Sequence, residues 1–237
     1  AYRYRSTGYS IGQCFGYKID YSNGNGYINT QEELDNALAT YQVGGTPRLG
    51  DFLYVDINED GVIDEKDQAP IKYSDIPRIT YGFSGSVNWK NFDFSFLFSG
   101  IAKASCVYTG WGATEFGLVG FYSDYHLQAW TAERYANGEE IKYPALASSP
   151  GTSQKANDFF IMDRSFLRLK NLMLSYNLPQ SVLKSTKFFN GARVYVQGQN
   201  LLTFTKFTGL DPEFSANIYR AQYPMSRQFT LGVELNF

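Results

Sequence analysis

The sequence predicts an all-β protein whose long antiparallel strands cross a membrane as part of a barrel, and three observations carry that prediction. With 19 Tyr, 19 Phe and 22 Gly among 237 residues, and only 19% charged residues, the composition favours strands and tight turns over helices. Apolar and polar residues alternate over stretches long enough to span a bilayer, for which a tilted strand needs about 9–11 residues. The connections between those stretches alternate between short and long, as outer-membrane barrels alternate periplasmic turns with extracellular loops. The expected architecture is a transmembrane antiparallel β-barrel segment, about five to six C-terminal strands of a larger barrel, with long extracellular loops.

In chain order, Gly8–Asp20 is a candidate sixth strand. Thr30-Gln31-Glu32-Glu33 has capping-box spacing, so a short helix follows, with Leu34, Leu38 and Tyr41 on one face. From Ile79 to Trp89, one face carries Ile79, Tyr81, Phe83, Gly85, Val87 and Trp89, and the other Thr80, Gly82, Ser84, Ser86 and Asn88. The two-residue connection Lys90-Asn91 then leads into Phe92, Phe94, Phe96 and Phe98, alternating with Asp93, Ser95, Leu97 and Ser99, which is a hairpin signal. Trp89 and Phe92 flank this turn, where an interfacial aromatic girdle belongs.

Phe166–Leu178 sets Leu172, Leu174, Tyr176 and Leu178 against Asn171, Ser175 and Asn177. In its first half Arg168 and Lys170 break the alternation and are expected to project beyond the lipid. Ala192–Asn200 sets Val194 and Val196 against Arg193, Tyr195, Gln197 and Gln199. The chain closes on Phe229, Leu231, Val233, Leu235 and Phe237, alternating with Gln228, Thr230, Gly232, Glu234 and Asn236. Residues 1–77 therefore read as an extracellular loop region that includes one further strand. Residues 78–237 read as C-terminal transmembrane strands with extracellular loops at about 101–163 and 203–225.

Five or six strands leave open edges, and unpaired backbone groups in hydrocarbon cost several kcal/mol each. Barrels close with about eight strands at minimum, so the remaining strands are expected from elsewhere. The polar and aromatic start, Ala1 to Arg5, points the same way, since it is no secretory signal. A net charge of −2 without a basic run argues against a nucleic-acid partner. Cys14 and Cys106 form neither a disulfide framework nor a metal motif. The single histidine, His126, reads as a surface loop residue, and no nucleophile, base and orienter assemble, so an enzyme is not expected.

Residues 56–67 carry a metal-loop motif. Asp56, Asn58, Asp60, Asp64 and Asp67 fall at loop positions 1, 3, 5, 9 and 12, Gly61 occupies the turn at position 6, and Val62 offers its carbonyl at position 7. Ca²⁺ takes six to eight hard oxygen ligands, and this spacing wraps them around one point. Position 12 is Asp rather than Glu, and no helical pattern precedes Asp56, so the loop resembles the dockerin type more than a calcium switch. The competing reading is an Asp- and Gly-rich turn without an ion.

Several blocks together resemble the SusC/RagA family of TonB-dependent transporters. They are Gly50 to Val55 running into Asp56–Asp67, Ile76 to Phe83, Phe92 to Ser95, and Ser165 to Asn171 with Leu174 to Pro179. Ala192 to Leu202, Gly209 to Glu213 and the terminal Phe237 complete the set, and the blocks run in family order across most of the chain. Ile11 to Tyr17 is similar to the stretch where the family carries Gly-Gln-Pro, with Cys14 as the departure. The resemblance implies a Bacteroidota outer-membrane barrel with an N-terminal plug, importing oligosaccharides or peptides on energy relayed by TonB. It further implies a SusD-like lipoprotein partner, with the rest of the barrel and the plug supplied by sequence outside this chain. A terminal aromatic such as Phe237 is similar to the signal read by the barrel-assembly machinery.

The alternative is a secreted β-sandwich with a calcium loop, a glycan-binding or adhesion module, which leaves the strand lengths and the alternation of connections unexplained. Tyr108, Trp111, Tyr122 and Trp130 are candidates to stack on sugar faces, with packing between loops or against the lipoprotein as the favoured reading. Arg193, Tyr195, Gln197 and Gln199 are candidates to line the lumen or to hydrogen-bond the plug. The residues that bind substrate are not assigned.

Overall fold

The computed structural model describes residues 7–108, 122, 124–149, 151–183, 188–209, 211–213 and 225–237. Among these, the strands are β1 (Gln13–Gly16), β2 (Ala69–Ser74), β3 (Ile79–Trp89), β4 (Phe92–Ala102), β5 (Ser105–Val107), β6 (Ile161–Asp163), β7 (Phe166–Asn177), β8 (Gly191–Thr205) and β9 (Gln228–Asn236). The helices are α1 (Gln31–Thr40), α2 (Ala132–Ala136) and α3 (Gln180–Leu183). The described residues fall into two compact units, one of 7–76 and 104–163, the other of 77–103, 164–213 and 225–237.

The first unit is irregular. Its sheets are the pairs β1–β2 and β5–β6, supplemented by isolated bridges such as Ile19 to Tyr54 and Tyr27 to Phe52. What holds it is an aromatic core of Tyr17, Tyr27, Phe52, Tyr54, Tyr143 and Phe160, with Ile19 and Ile63. Phe52 stacks on Tyr27 at 5.2 Å and meets Phe160 edge-on at 6.5 Å, geometries that aromatic pairs favour. A buried polar seam runs through this core. Asn157 donates to Tyr54 Oη at 3.1 Å and accepts from the N–H groups of Phe159 and Phe160. Asp51 accepts from Ser153 Oγ at 2.7 Å and from Arg48 N at 2.9 Å. Such groups are tolerated inside only when bonded in this way.

Two expectations are corrected here. Gly8–Asp20 does not add a sixth strand to the barrel sheet, because its short strand β1 pairs with β2 inside the first unit. Helix α1 forms with its capping box, but it turns Ala37 into the core and leaves Leu38 exposed. Leu34 and Tyr41 are half-buried beside Ala37, so the buried stripe is displaced by one residue from the expected face.

The second unit is a five-stranded antiparallel sheet in the order β3-β4-β7-β8-β9. The hairpin β3–β4 keeps one register from Ile79–Ala102 to Trp89–Phe92, and Lys90 turns the corner with a φ of +55°. The broken alternation of β7 has a structural cause. Leu97 faces Asn171 but Phe98 faces Leu169, so Lys170 is a bulged residue. The extra residue moves Leu169 and Leu167 onto the same face as Leu172, Leu174 and Tyr176. In β8 the matching irregularity lies at Asn200 and Leu201, where Asn200 has a φ of +53°.

Candidate functional site

Direct cross-strand partners share a face, so the registers can be read as rows across the sheet. On one face, Val87, Phe94, Leu174, Val196 and Leu231 form a row, and Trp89, Phe92, Tyr176, Val194 and Val233 form the next. Gly85, Phe96, Leu172, Gly198 and Phe229 make a third. This face is apolar from end to end, yet Phe229 is 76% exposed and Leu231 74%. A sandwich would cover these residues with a second sheet. A contiguous bare apolar sheet face of this size suits lipid.

The opposite face, in the alternating rows, is mostly polar, with Leu97 and Met173 as the apolar exceptions. Asn88, Asp93, Ser175 and Tyr195 align, as do Ser86, Ser95, Met173, Gln197 and Thr230. Asp93 gathers Asn177 Nδ2 at 2.7 Å and Ser175 Oγ at 3.3 Å, and Arg193 lies 3.9 Å from Glu234. Tyr195 lies across Gly232, where a Cβ would come within 2.2 Å of its ring. At the turn end, the Lys90 ammonium sits 4.8 Å from the centre of the Trp89 ring, joining an amphipathic aromatic to a cation as interfacial residues do.

Arg168 and Lys170 do not project free. Arg168 donates to Thr203 Oγ1 at 2.8 Å, to Asp211 Oδ1 at 2.8 Å and to Glu213 Oε2 at 2.6 Å. Lys170 Nζ reaches both oxygens of Glu213, at 2.6 and 2.7 Å. The sequence reading missed this cluster. Its available signal was a pair of cations interrupting a strand and a pair of acids in Asp211-Pro212-Glu213. Leu210, of the same block, lies outside the described residues.

The loop 56–67 folds as a chain of side-chain-to-backbone bonds. Asp56 accepts from Glu59 N and Gly61 N, both at 2.8 Å, Asn58 from Asp60 N at 3.1 Å, and Asp60 from Val62 N at 3.0 Å. Asp64 accepts from Lys66 N at 2.7 Å. Asp67, fully buried, ties the loop's two ends by accepting from Ile57 N and Asp64 N, each at 2.8 Å. Gly61 takes a φ of +83°, a left-handed conformation that favours glycine. The Asn58 amide, the Val62 N–H and Lys66 hold the Asp60 carboxyl below its usual value, while Asp64 and then Asp60 push Lys66 up.

All the side-chain donors of this loop are hard oxygens, the chemistry Ca²⁺ takes. Among the described residues, however, no group of three or more Asp, Glu, His or Cys side chains converges closely enough to hold an ion. The carboxylates are instead turned onto the loop's own amides.

The candidate loop aromatics and histidine are placed as follows. Trp130 is buried in the first unit's core, its indole N–H donating to Asn29 Oδ1 at 3.0 Å, so it packs rather than offering a face to sugar. Tyr108 is buried too, with its N–H on Phe160 O at 2.7 Å. Tyr122 is exposed, and Trp111 lies outside the described residues. His126 is buried, not a surface residue, with its ring edge-on to Tyr143 at 4.5 Å. Cys14 and Cys106 are both buried and are not disulfide-bonded.

No family model matches the chain. Curated relatives do. TonB-dependent receptor P3 of Formosa agariphila is 30% identical over 245 residues, covering 97% of this chain and 22% of the relative. TonB-dependent receptor P26 of the same organism is 31% identical, covering 90% of this chain and 22% of the relative. TonB-dependent receptor SusC of Bacteroides thetaiotaomicron is 29% identical, covering 93% of this chain and 20% of the relative. The chain thus spans 20–22% of the length of these relatives.

Among solved structures, the RagAB peptide transporter superposes with a TM-score of 0.68 at 28% identity, covering the whole of this chain and 24% of that one. The RagAB peptide importer in its closed-closed state gives 0.66 at 27% identity, again covering this whole chain and 25% of that one. Sequence likeness across nearly all of this chain, the barrel fold of these neighbours, and a sheet bare on its apolar face agree. The chain belongs to the SusC/RagA family of TonB-dependent outer-membrane transporters of Bacteroidota, and its five-stranded sheet is a segment of that family's transmembrane barrel.

Proposed function

We propose that this chain supplies wall strands to a barrel that imports oligosaccharides or peptides across the outer membrane, and that it acts as a transporter and not as an enzyme. One observation carries the reading: five strands in register with an unbroken apolar face on one side and a polar face on the other. The polar face lines the passage or receives a plug, the apolar face meets lipid, and the Lys90-Asn91 turn is periplasmic. Residues before Pro77 and the connection 104–163 lie outside the membrane. The remaining barrel and the plug that contacts TonB come from the rest of the transporter, and a SusD-like lipoprotein caps the outer mouth. The likeness to a peptide transporter supports a peptide cargo, while the exposed Tyr122 leaves a sugar-stacking face available.

The test is uptake by whole cells. Disruption of the gene is expected to abolish growth on the cognate peptide or oligosaccharide mixture, and the transporter is expected to co-purify with a lipoprotein. Unchanged uptake of both cargo classes would sink the import reading.

The same reading includes a structural Ca²⁺ on the loop 56–67, taken by Asp56, Asn58, Asp60, Val62, Asp64 and Asp67. The all-oxygen donor set at this spacing and the left-handed Gly61 support it, and binding requires the carboxylates to leave the loop's own amides. A bound ion would offset part of the loop's carboxylate charge and staple it. Titration with calcium is expected to saturate at about 0.1–1 mM, the range of extracellular modules. Asp60→Ala should abolish saturation, and an unchanged titration in that variant would place any ion elsewhere.

A further inference from the structure

The Arg168 cluster is a heavily bonded polar feature of the described barrel wall and has no part in the function just described. Arg168 stands on the polar face, between Ser99 on β4 and Thr203 on β8. Its side chain is only 4% exposed, and that of Asp211, which it bonds, only 3%. Asp211 is bonded from several directions, since it also accepts from Glu213 N at 2.9 Å and from Met225 N at 3.1 Å. Arg164 adds a bond from Nη1 to Pro212 O at 3.4 Å. Three successive residues of the β8–β9 connection are thereby tied to side chains of β7 and of the residues just before it. The residue leading into β9 is tied to the same carboxylate.

A loop that merely passes over a surface forms hydrated ion pairs, which hold little. Burying an Arg and an Asp costs desolvation, and such a pair persists where its geometry is fixed and its remaining hydrogen bonds are satisfied. Arg168, with its three donor atoms on three acceptors, meets that condition, and the planar guanidinium fixes direction as well as distance. The bulge at Lys170 gives the fold a reason to keep its irregular register, since the ammonium beside the guanidinium takes both oxygens of Glu213.

We propose that Asp211-Pro212-Glu213 is a pin that fixes this part of the β8–β9 connection to the lumenal wall, making these three residues a permanent part of the passage lining. The proposal rests on the reading of the polar face as the lumen. Its consequence is that cargo at this level meets the pinned segment, and does not meet two uncovered cations.

The experiment uses the intact transporter in isolated outer membranes, digested with trypsin. Peptide mass spectrometry follows cleavage within 206–227, where Lys206, Arg220 and Arg227 are the available sites. Heat-modifiable mobility in detergent gels reports that the barrel is assembled. Single-cysteine variants Ser95→Cys and Phe96→Cys, probed with an aqueous maleimide, report the faces independently.

In assembled barrels, Arg168→Met is expected to be cleaved in this segment at least tenfold faster than the wild type, with Glu213→Gln intermediate. If Arg168→Met fails to assemble, the comparison passes to Glu213→Gln and Lys170→Met, expected to be cleaved at least threefold faster than the wild type. Equal cleavage rates in wild type and assembled variants would overturn the pin while leaving the lumen reading intact. Maleimide labelling of the Phe96→Cys variant without labelling of the Ser95→Cys variant would overturn the lumen reading, and the pin with it.

Discussion

At Trp130 the choice between a sugar-stacking surface and a packing residue falls to packing, and the consequence can be measured. The indole is enclosed in the aromatic core of the first unit and its N–H is spent on Asn29 Oδ1 at 3.0 Å. Truncation of a buried aromatic costs about 3–5 kcal/mol, so Trp130→Ala should accelerate hydrogen exchange at the slowest amides around Phe52 and Tyr143. Cargo affinity should stay unchanged in the fraction that remains folded; a weakened affinity with normal exchange would restore the stacking role. Gly100 tests a different contact in the barrel sheet. A Cβ there would come within 2.2 Å of Phe166 O, on the backbone of the adjacent strand. Gly100→Ala must therefore push β4 from β7, and heat-modifiable barrel assembly should be lost or slowed, whereas Ser99→Ala, the neighbouring position on the other face, should assemble normally.

The elements differ in how far they could be read in advance, and the difference follows from where their partners lie. Helix α1 is specified locally. Thr30 Oγ1 accepts from Glu33 N at 3.2 Å and Glu33 returns bonds to the N–H groups of Thr30 and Asn29, at 3.0 and 2.6 Å. Removing such a cap costs about 1 kcal/mol, so Thr30→Ala should deprotect amides 33–36 about fivefold in hydrogen exchange. Burial alone would raise the Glu33 carboxyl. The Asn23 amide and the N–H groups of Asn29 and Thr30 outweigh it and hold the carboxyl below its ordinary 4.5. A carboxyl depressed in the folded state stabilises above its unfolded value and loses that contribution as pH falls through the folded one. Protection of α1 should therefore persist at neutral pH and fade only below pH 4.5; fading that begins near pH 6 would contradict the cap. β3, β4 and β9 were legible for a similar reason, because a strand between lipid and water writes both environments into alternate residues. The first half of β7 was not, since the Lys170 bulge shifts its parity and only the register with β4 shows where. Nor were His126 or the Ala37 face of α1, whose burial is decided by residues distant in sequence. The loop 56–67 was legible as a motif, but the inward turn of its carboxylates onto loop amides was not.

For the molecule as a membrane protein, the rows of the sheet make opposite demands on adjacent residues of one strand. Phe96 lies midway along β4, in the apolar row with Leu172 and Phe229, while Ser95 lies in the polar row with Met173 and Gln197. A charge placed on the lipid face near the bilayer midplane costs about 2–4 kcal/mol, and on the lumen face it meets water or polar partners. Phe96→Arg should therefore lower the urea midpoint of the reconstituted transporter by the equivalent of about 2–4 kcal/mol, or block its insertion. Ser95→Arg, one residue away, should insert and shift the midpoint by less than about 1 kcal/mol. The same pair can be read without charge: a fluorophore at position 96 should be quenched by brominated lipid, and one at 95 should be quenched by aqueous iodide. A soluble sandwich makes the same prediction for the charge pair, because its second sheet would cover the apolar face and bury a charge at position 96, so the quenching pair separates the two: brominated lipid reaches position 96 only in the barrel. If position 96 escaped the brominated lipid, or Ser95→Arg proved the more damaging substitution, the apolar face would not be the one that meets lipid. The barrel assignment of these five strands would then fail as a whole, since one register fixes the facing of every row.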